Sequence, residues 1–338
     1  MANSAKALLL AALAALPAPA EAQTLRGAGA TFPAPLYKTW IAAYGKDNPG
    51  LKLSYAEVGS GEGVKRFLAR EVDFGASDTA MSDEEMRRAK DGAKLIPVTA
   101  GMVVLAYNLP GSRGTLRLSR EVYADIFLGR IKKWNDPRLA ALNPELRLPE
   151  RTIITVARQD SSGTTFAFTN HLSAISPAWK AGPGAGKVLG WPSAPMLQRG
   201  NEGVAQRIKL SDGAIGYVEY SYAKRLGLAA AALENRAGRY VVPSDAGGQA
   251  AFKHNLEAFP ANLRVFLPDP LGEDSYPIVS FSWLLLNERY ADSAHAETLK
   301  RFVAWALDKG QNYSAELGYV PLPPEVAKLA RATLAEIK

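Results

Sequence analysis

The apolar positions of this chain switch between two periods from end to end. In 51–55 (LKLSY) every second residue is apolar, the repeat of a strand. Val64, Phe67 and Leu68 follow at spacings of three and four, which places them on one helix face. Residues 72–76 read as a short strand, and 102–107 and 153–157 as buried strands. The longer apolar run 278–286 (IVSFSWLLL) reads as another. SDEE at 82–85 is a capping box: Ser82 accepts a backbone N–H, and Glu85 reaches back to that of Ser82. Toward the end, 297–309 reads as a helix stopped by Gly310, and Pro323 with Pro324 opens the last helix. Strands alternating with helices predict the α/β class, with mostly parallel sheets covered by helices. Pro- and Gly-rich stretches at 109–114, 143–149 and 181–195 punctuate the pattern, and the last is long enough to be a surface loop.

The first 22 residues stand apart. A weakly basic start with Lys6 leads into an unbroken Ala/Leu run at 7–16, and AEA at 20–22 is a small-x-small cleavage signature. The run is shorter than the roughly 20 residues a bilayer span needs. A signal peptide is predicted over 1–22, with a mature protein that is soluble and outside the cytoplasm. Some 316 residues of the 338 then remain, too many for one ordinary core, so two domains are expected.

Composition narrows the chemistry. The chain has no cysteine, so it has no disulfide, no thiolate nucleophile, no Cys-bound metal and no lipid-modified cysteine at its mature start. His171, His254 and His295 are scattered and make no zinc site. No cofactor and no metal are expected. A net charge of +7 and a pI near 9.4 favour an anionic partner. Lys and Arg are spread along the chain with no basic block interleaved with aromatics, so nucleic acid is not the expected anion.

Three segments share one plan: an extended stretch passes through small, Gly- or hydroxyl-bearing residues and opens a helix. They are GAGATFP at 27–33, GSGEG at 59–63, and RQDSSGTT at 158–165. In the first, Thr31 reads as the N-cap, Pro33 as a first-turn residue, and Phe32, Leu36 and Trp40 as the buried stripe. A helix start offers free backbone N–H groups and partial positive charge, hence an anion site. Gly permits close backbone approach, and Ser and Thr add donors. One such turn is ordinarily a cap; three in one chain, one led by an arginine, are a stronger signal. The planar fork of Arg158 fits two oxygens of a tetrahedral oxyanion, and Asp160, on the same side of an extended backbone, can hold it in place. Asp78 follows a strand's carboxyl end, where α/β sheets place ligands; beside an anion it is favourable only if the ligand has a proton to give.

Enzyme signatures fail. Phe32 stands where the dinucleotide fingerprint wants Gly. GPGAGK at 182–187 lacks the first P-loop Gly and is followed by Val188 instead of Ser or Thr, and no Ser sits in a G-x-S-x-G elbow.

Taken together, GAGATFPAP at 27–35, VGSG at 58–61, VDFGASD at 72–78, IFLGRIKKW at 126–134, RQDSSGTTF at 158–166, GAIGYVEY at 213–220 and 278–286 resemble a known family. It is that of the periplasmic phosphate-binding proteins of phosphate-specific ABC transporters, and the resemblance runs over nearly the whole mature chain. It implies a two-lobed binding-protein fold of the cluster-D, type II-like kind that closes over its ligand by hinge bending. Residues 23–103 and 277–338 would form a discontinuous first lobe, and 104–276 the second. It further implies a non-enzymatic, monomeric protein, free in the periplasm without a lipid anchor, that captures inorganic phosphate and delivers it to membrane permease subunits. Carried over residue by residue, the phosphate contacts are Thr31, Phe32 through its backbone N–H, Ser60, Asp78, Arg158, Ser162, Gly163 and Thr164, with Asp160 supporting Arg158. Another tetrahedral oxyanion such as sulfate, or hydrolysis of phosphate esters, are the alternative readings. Two departures from the pattern stand out: Gly61 and Glu62 stand in a turn that elsewhere reads SSGG, and Ser161 stands where Gly can occur.

Overall fold

A computed structural model describes residues 23–112, 114–255, 257, 259–260 and 262–338, and the leader expected at 1–22 lies outside these residues. In chain order the strands are β1 (Gln23–Gly29), β2 (Leu51–Glu57), β3 (Phe74–Ser77), β4 (Lys94–Asn108), β5 (Arg117–Leu118) and β6 (Ile154–Arg158). They continue with β7 (Met196–Gln198), β8 (Ala214–Glu219), β9 (Ala229–Ala230), β10 (Ala232–Glu234), β11 (Tyr240–Val241) and β12 (Val279–Leu286).

Strand β4 organises the molecule. It is 15 residues long and buried at every position but its two ends, which is why its sequence shows an apolar run instead of alternation. Its first part pairs antiparallel with β12 as far as Met102, and its second part pairs antiparallel with β8 from Val103 onward. One continuous strand thus passes from one group of strands into another. On the first side the order is β2-β1-β3-β12-β4, and on the second β4-β8-β6-β7, with β9 also on β4. The flanks are parallel, β1 with β2 and β3, and β6 with β7 and β8; the strands at the centre run antiparallel. Strands β5, β10 and β11 form a small separate sheet.

Most elements lie where the periodicity puts them, and two differ for physical reasons. The short strand expected at 72–76 is displaced to Phe74–Ser77, with Asp73 instead accepting the Arg26 N–H at 2.6 Å. The helix expected at 297–309 is Ser293–Ala306, begun early because Asp292 caps the N–H groups of Ala294 and His295. Gly310 does not stop it; it lies inside the 3-10 turn Lys309–Tyr313. There its carbonyl accepts the Trp40 indole N–H at 2.7 Å, and a side chain would meet that ring at 3.0 Å. Glycine at 310 makes room for a neighbour's indole.

Candidate functional site

The first turn follows β1. The helix Ala34–Asp47 starts with Pro33 at the cap position and has no side-chain cap, so Thr31 is not the N-cap its spacing suggests. Its hydroxyl is engaged elsewhere: Thr31 Oγ1 accepts from the backbone N of Asn201 at 3.2 Å and from its Nδ2 at 2.9 Å. Two buried tyrosines hold this backbone from distant parts of the chain. Tyr222 donates to the Thr31 carbonyl at 2.6 Å and Tyr319 to the Phe32 carbonyl at 2.7 Å. The Phe32 ring is fully buried and packs where a side chain on Gly101 would otherwise be, 2.8 Å away.

The second turn follows β2. Gly59 has φ +97°, a conformation side chains disfavour, and the helix Ser60–Leu68 begins directly after it. Ser60, almost fully buried, accepts from the backbone N of Asp78 and from that of Gly163, each at 3.2 Å, and donates to Asp78 Oδ2 at 3.3 Å. Asp78 stands one residue beyond β3 and is 1% exposed. Its other oxygen accepts from the Ser282 hydroxyl at 2.8 Å. Burial pushes its carboxyl up to about 7, against the opposing pull of the Ser282 hydroxyl, Arg158 and Ser60.

The third turn follows β6. Ser162 caps the helix Gly163–Ile175, its hydroxyl accepting the Thr165 N–H at 3.0 Å. Arg158 is the last residue of β6, and its side chain is 1% exposed, so this is a buried charge and no strand-end surface pair. Asp160 takes its Nε at 2.8 Å and also its Nη2, a two-point grip on one edge of the guanidinium. The edge between Nη1 and Nη2 stays on the Thr164 side, Nη1 lying 3.4 Å from that hydroxyl. Burial works to raise the Asp160 carboxyl, but its bonds to Arg158 and the Gly200 N–H hold it below the usual carboxylate range.

The three turns converge. Ser60 of the second touches Gly163 of the third, and Thr31 of the first and Thr164 of the third share one neighbour, Asn201. A cleft of about 780 Å³ opens beside them, lined among others by Thr31, Gly61, Asp160, Ser161, Lys187 and Gly200. The two departures from the family pattern meet directly at its wall: the Gly61 N–H donates to the Ser161 carbonyl at 3.0 Å, and a side chain on Gly61 would lie 2.1 Å from Ser161 Oγ, so the glycine at 61 admits the serine at 161. Glu62 is balanced on its own helix by Arg66 Nε at 2.9 Å and Lys65 at 3.5 Å, and the Arg66 bond holds its carboxyl low. Lys187, from the stretch between Ala181 and Met196, reaches Glu85 at 3.1 Å over the same cleft.

Sequence reasoning missed three participants. Asn201 lies at a fourth helix start, Gly200–Leu210, where Gly200 has φ +65°; a Gly-Asn pair ahead of Val204, Ala205 and Ile208 was the available signal. Ser280 and Ser282 bond the backbone and side chain of Asp78, and two serines at a two-residue interval in an otherwise apolar strand marked that face.

A family model described as the PBP superfamily domain matches residues 15–309. The phosphate-binding protein PstS of Haemophilus influenzae is 44% identical over 317 residues, 93% of this chain and 93% of its own. The phosphate-binding protein PstS of Methanocaldococcus jannaschii is 37% identical over 337 residues, 93% of this chain and 86% of its own. Among solved structures, a phosphate-binding protein from Stenotrophomonas maltophilia superposes with a TM-score of 0.75 at 22% identity, covering 92% of this chain and 93% of that one. A human phosphate binding apolipoprotein gives 0.72 at 21%, covering 91% and 93%. The structural likenesses establish a shared two-lobed α/β fold.

Proposed function

The chain belongs to the PBP superfamily and, within it, to the family of the PstS phosphate-binding proteins, and on that premise we propose that it captures inorganic phosphate in its cleft for an ABC permease. The observation that carries the reading is the buried meeting of many donors with one acceptor. The hydroxyls of Thr31 and Thr164, the N–H group of the turn at Phe32, the Ser162 cap and the free edge of Arg158 suit the oxygens of a tetrahedral anion, and the Ser60 hydroxyl and Gly163 N–H join them by exchanging their present bonds to Asp78 and Ser60 for the ion. Among the described carboxylates in or bonded to the three turns, Asp78 is the one with no cation hydrogen-bonded to it. Phosphate near neutral pH keeps a proton that this carboxylate can accept; sulfate has none.

The lobes are assigned as 23–103 with 277–338, and 104–276. The passage of β4 from β12 to β8 at Met102 and Val103 supports that division. Thr31, Ser60 and Asp78 then belong to one lobe, Arg158 and residues 160–164 to the other, so the ion is gripped from both sides. Closure by hinge bending follows, since an anion enclosed from both lobes enters only if they part. The protein acts as a periplasmic monomer and catalyses no reaction. Calorimetric titration of protein stripped of phosphate tests the reading. Tight phosphate binding with weak or no sulfate binding is the expected result, and release of phosphate from a chromogenic ester, or no phosphate binding, would overturn it.

A further inference from the structure

Thr31, which lines the cleft, and Thr164, buried behind it, are held by a residue that does not reach it. Asn201 is fully buried at the start of the helix Gly200–Leu210. The orientation of its amide is fixed by chemistry: Oδ1 lies 2.9 Å from the backbone N of Glu219, which can only donate, so this atom is the oxygen. The other atom is therefore the amide nitrogen, and it spends both of its hydrogens on hydroxyls, Thr31 Oγ1 at 2.9 Å and Thr164 Oγ1 at 3.0 Å.

A hydroxyl has two lone pairs and one proton. Both lone pairs of Thr31 are filled, by Asn201 Nδ2 and by the Asn201 backbone N at 3.2 Å. Both lone pairs of Thr164 are filled too, by Asn201 Nδ2 and Arg158 Nη1 at 3.4 Å. Each threonine has only its proton left to offer. A hydroxyl free to rotate can donate or accept; one saturated in this way is a donor alone.

We propose that Asn201 is a positioning residue that fixes Thr31 and Thr164 as obligate proton donors to the bound anion. The inference rests on the phosphate-binding reading. It also explains why one amide joins the first turn to the third: Thr31 and Thr164 come from opposite sides of the cleft, and a shared donor sets both at once.

A double-mutant cycle tests it, because a residue that acts through two others loses its effect when they are gone. Phosphate affinity is measured by calorimetry on stripped protein for the parent, Asn201→Ala, Thr31→Val with Thr164→Val, and all three changes together. Asn201→Ala is expected to weaken binding about 10- to 30-fold in the parent, and less than about threefold where both hydroxyls are already absent. N201S, which keeps a small polar side chain at the buried position, is carried through the same cycle in case the alanine variant does not fold. Equal losses in both backgrounds, as a purely structural role gives, would overturn the proposal, and so would an unchanged affinity in the parent background. A parent that binds no phosphate would instead sink the reading on which the proposal rests.

Discussion

Gly163 is the point where adding one methyl group should separate binding from folding. It opens the helix Gly163–Ile175, and its backbone N touches, at 3.2 Å, the Oγ of Ser60, which the proposed division puts in the other lobe. A Cβ built there would lie 2.6 Å from Ser60 Oγ, 2.6 Å from Asp78 Cβ and 2.8 Å from Asp78 Oδ2. Ordinary contacts need roughly 3.5–4 Å, so the lobes would have to stop about 1 Å short of closure. Neither neighbour can yield easily: Ser60 is tied to the Asp78 N–H, and Asp78 to Ser282. An unaccommodated methylene costs about 1–3 kcal/mol, and misplacing the facing donors by about 1 Å adds to it. Gly163→Ala should therefore weaken phosphate binding by about 2–4 kcal/mol, or roughly 30- to 1,000-fold. Each lobe keeps its own contacts, and alanine suits a helix better than glycine, so thermal stability without phosphate should not fall. Gly45→Ala is the control: in the helix Ala34–Asp47 its added methyl meets nothing within 4 Å, so it should stabilise by up to about 1 kcal/mol and leave affinity alone. Calorimetry gives the affinity, and small-angle scattering shows whether the radius of gyration still shrinks on adding phosphate. A Gly163→Ala protein that binds within threefold of the parent and contracts equally would refute the tight-closure argument.

Three further outcomes follow from the same geometry. Arg158→Ala removes a buried charge and leaves Asp160 with the Gly200 N–H but no cation, so phosphate affinity should drop by about 2–5 kcal/mol; a folded variant within threefold of the parent by calorimetry would return Arg158 to a structural role. With the Asp78 carboxyl pushed up to about 7, its protonated form can donate to sulfate, so sulfate competition should strengthen as pH falls through about 7 and be pH-independent in Asp78→Asn; competition titrations from pH 5.5 to 8.5 decide it, and an unchanged preference in the variant counts against Asp78 as the proton reader. The same raised carboxyl keeps a proton in the folded protein that the unfolded chain has already released above about 4, so its contribution to stability is greatest below 4 and is lost as pH rises through 7; the melting temperature of stripped protein should decline less over that window in Asp78→Asn than in the parent.

How much of this was legible in the sequence depends on the reach of each interaction. Helix starts are local events. Ser162 capping Thr165, the Ser82–Glu85 box and the Arg158–Asp160 grip each span a few residues, and each was readable from spacing. Thr31 misled because a threonine before a helix is usually a cap, and only the fold brings Asn201, 170 positions away, to claim its hydroxyl. Ser282 lies 204 positions from Asp78, and nothing near either residue announces the pair. Gly310 misled in the same way: it reads locally as a helix stop, and its reason is the indole of Trp40, 270 positions away.

That division bears on how such a site can tell two tetrahedral anions apart. Net positive charge, the Arg158 edge and the helix starts attract phosphate and sulfate alike, since both present oxygens and negative charge. Of the features legible in the sequence, these explain why an anion binds, and only Asp78 bears on the choice between anions. Choice requires a group that reads a proton, the role proposed for Asp78, set by burial behind Ser60 and Ser282. It also requires that no other group read it differently. A rotating hydroxyl beside the ion would accept a proton from one anion and donate to the other, blurring the distinction that Asp78 makes. Thr31 and Thr164 are denied that freedom because their lone pairs are filled by Asn201 and Arg158, and Ser60 because its lone pairs take two backbone N–H groups while its proton points to Asp78. On the proposed reading, discrimination in this cleft rests on a single acceptor among donors that cannot reverse, and local pattern marks the faces that carry the enforcing residues but not which distant partner each one holds.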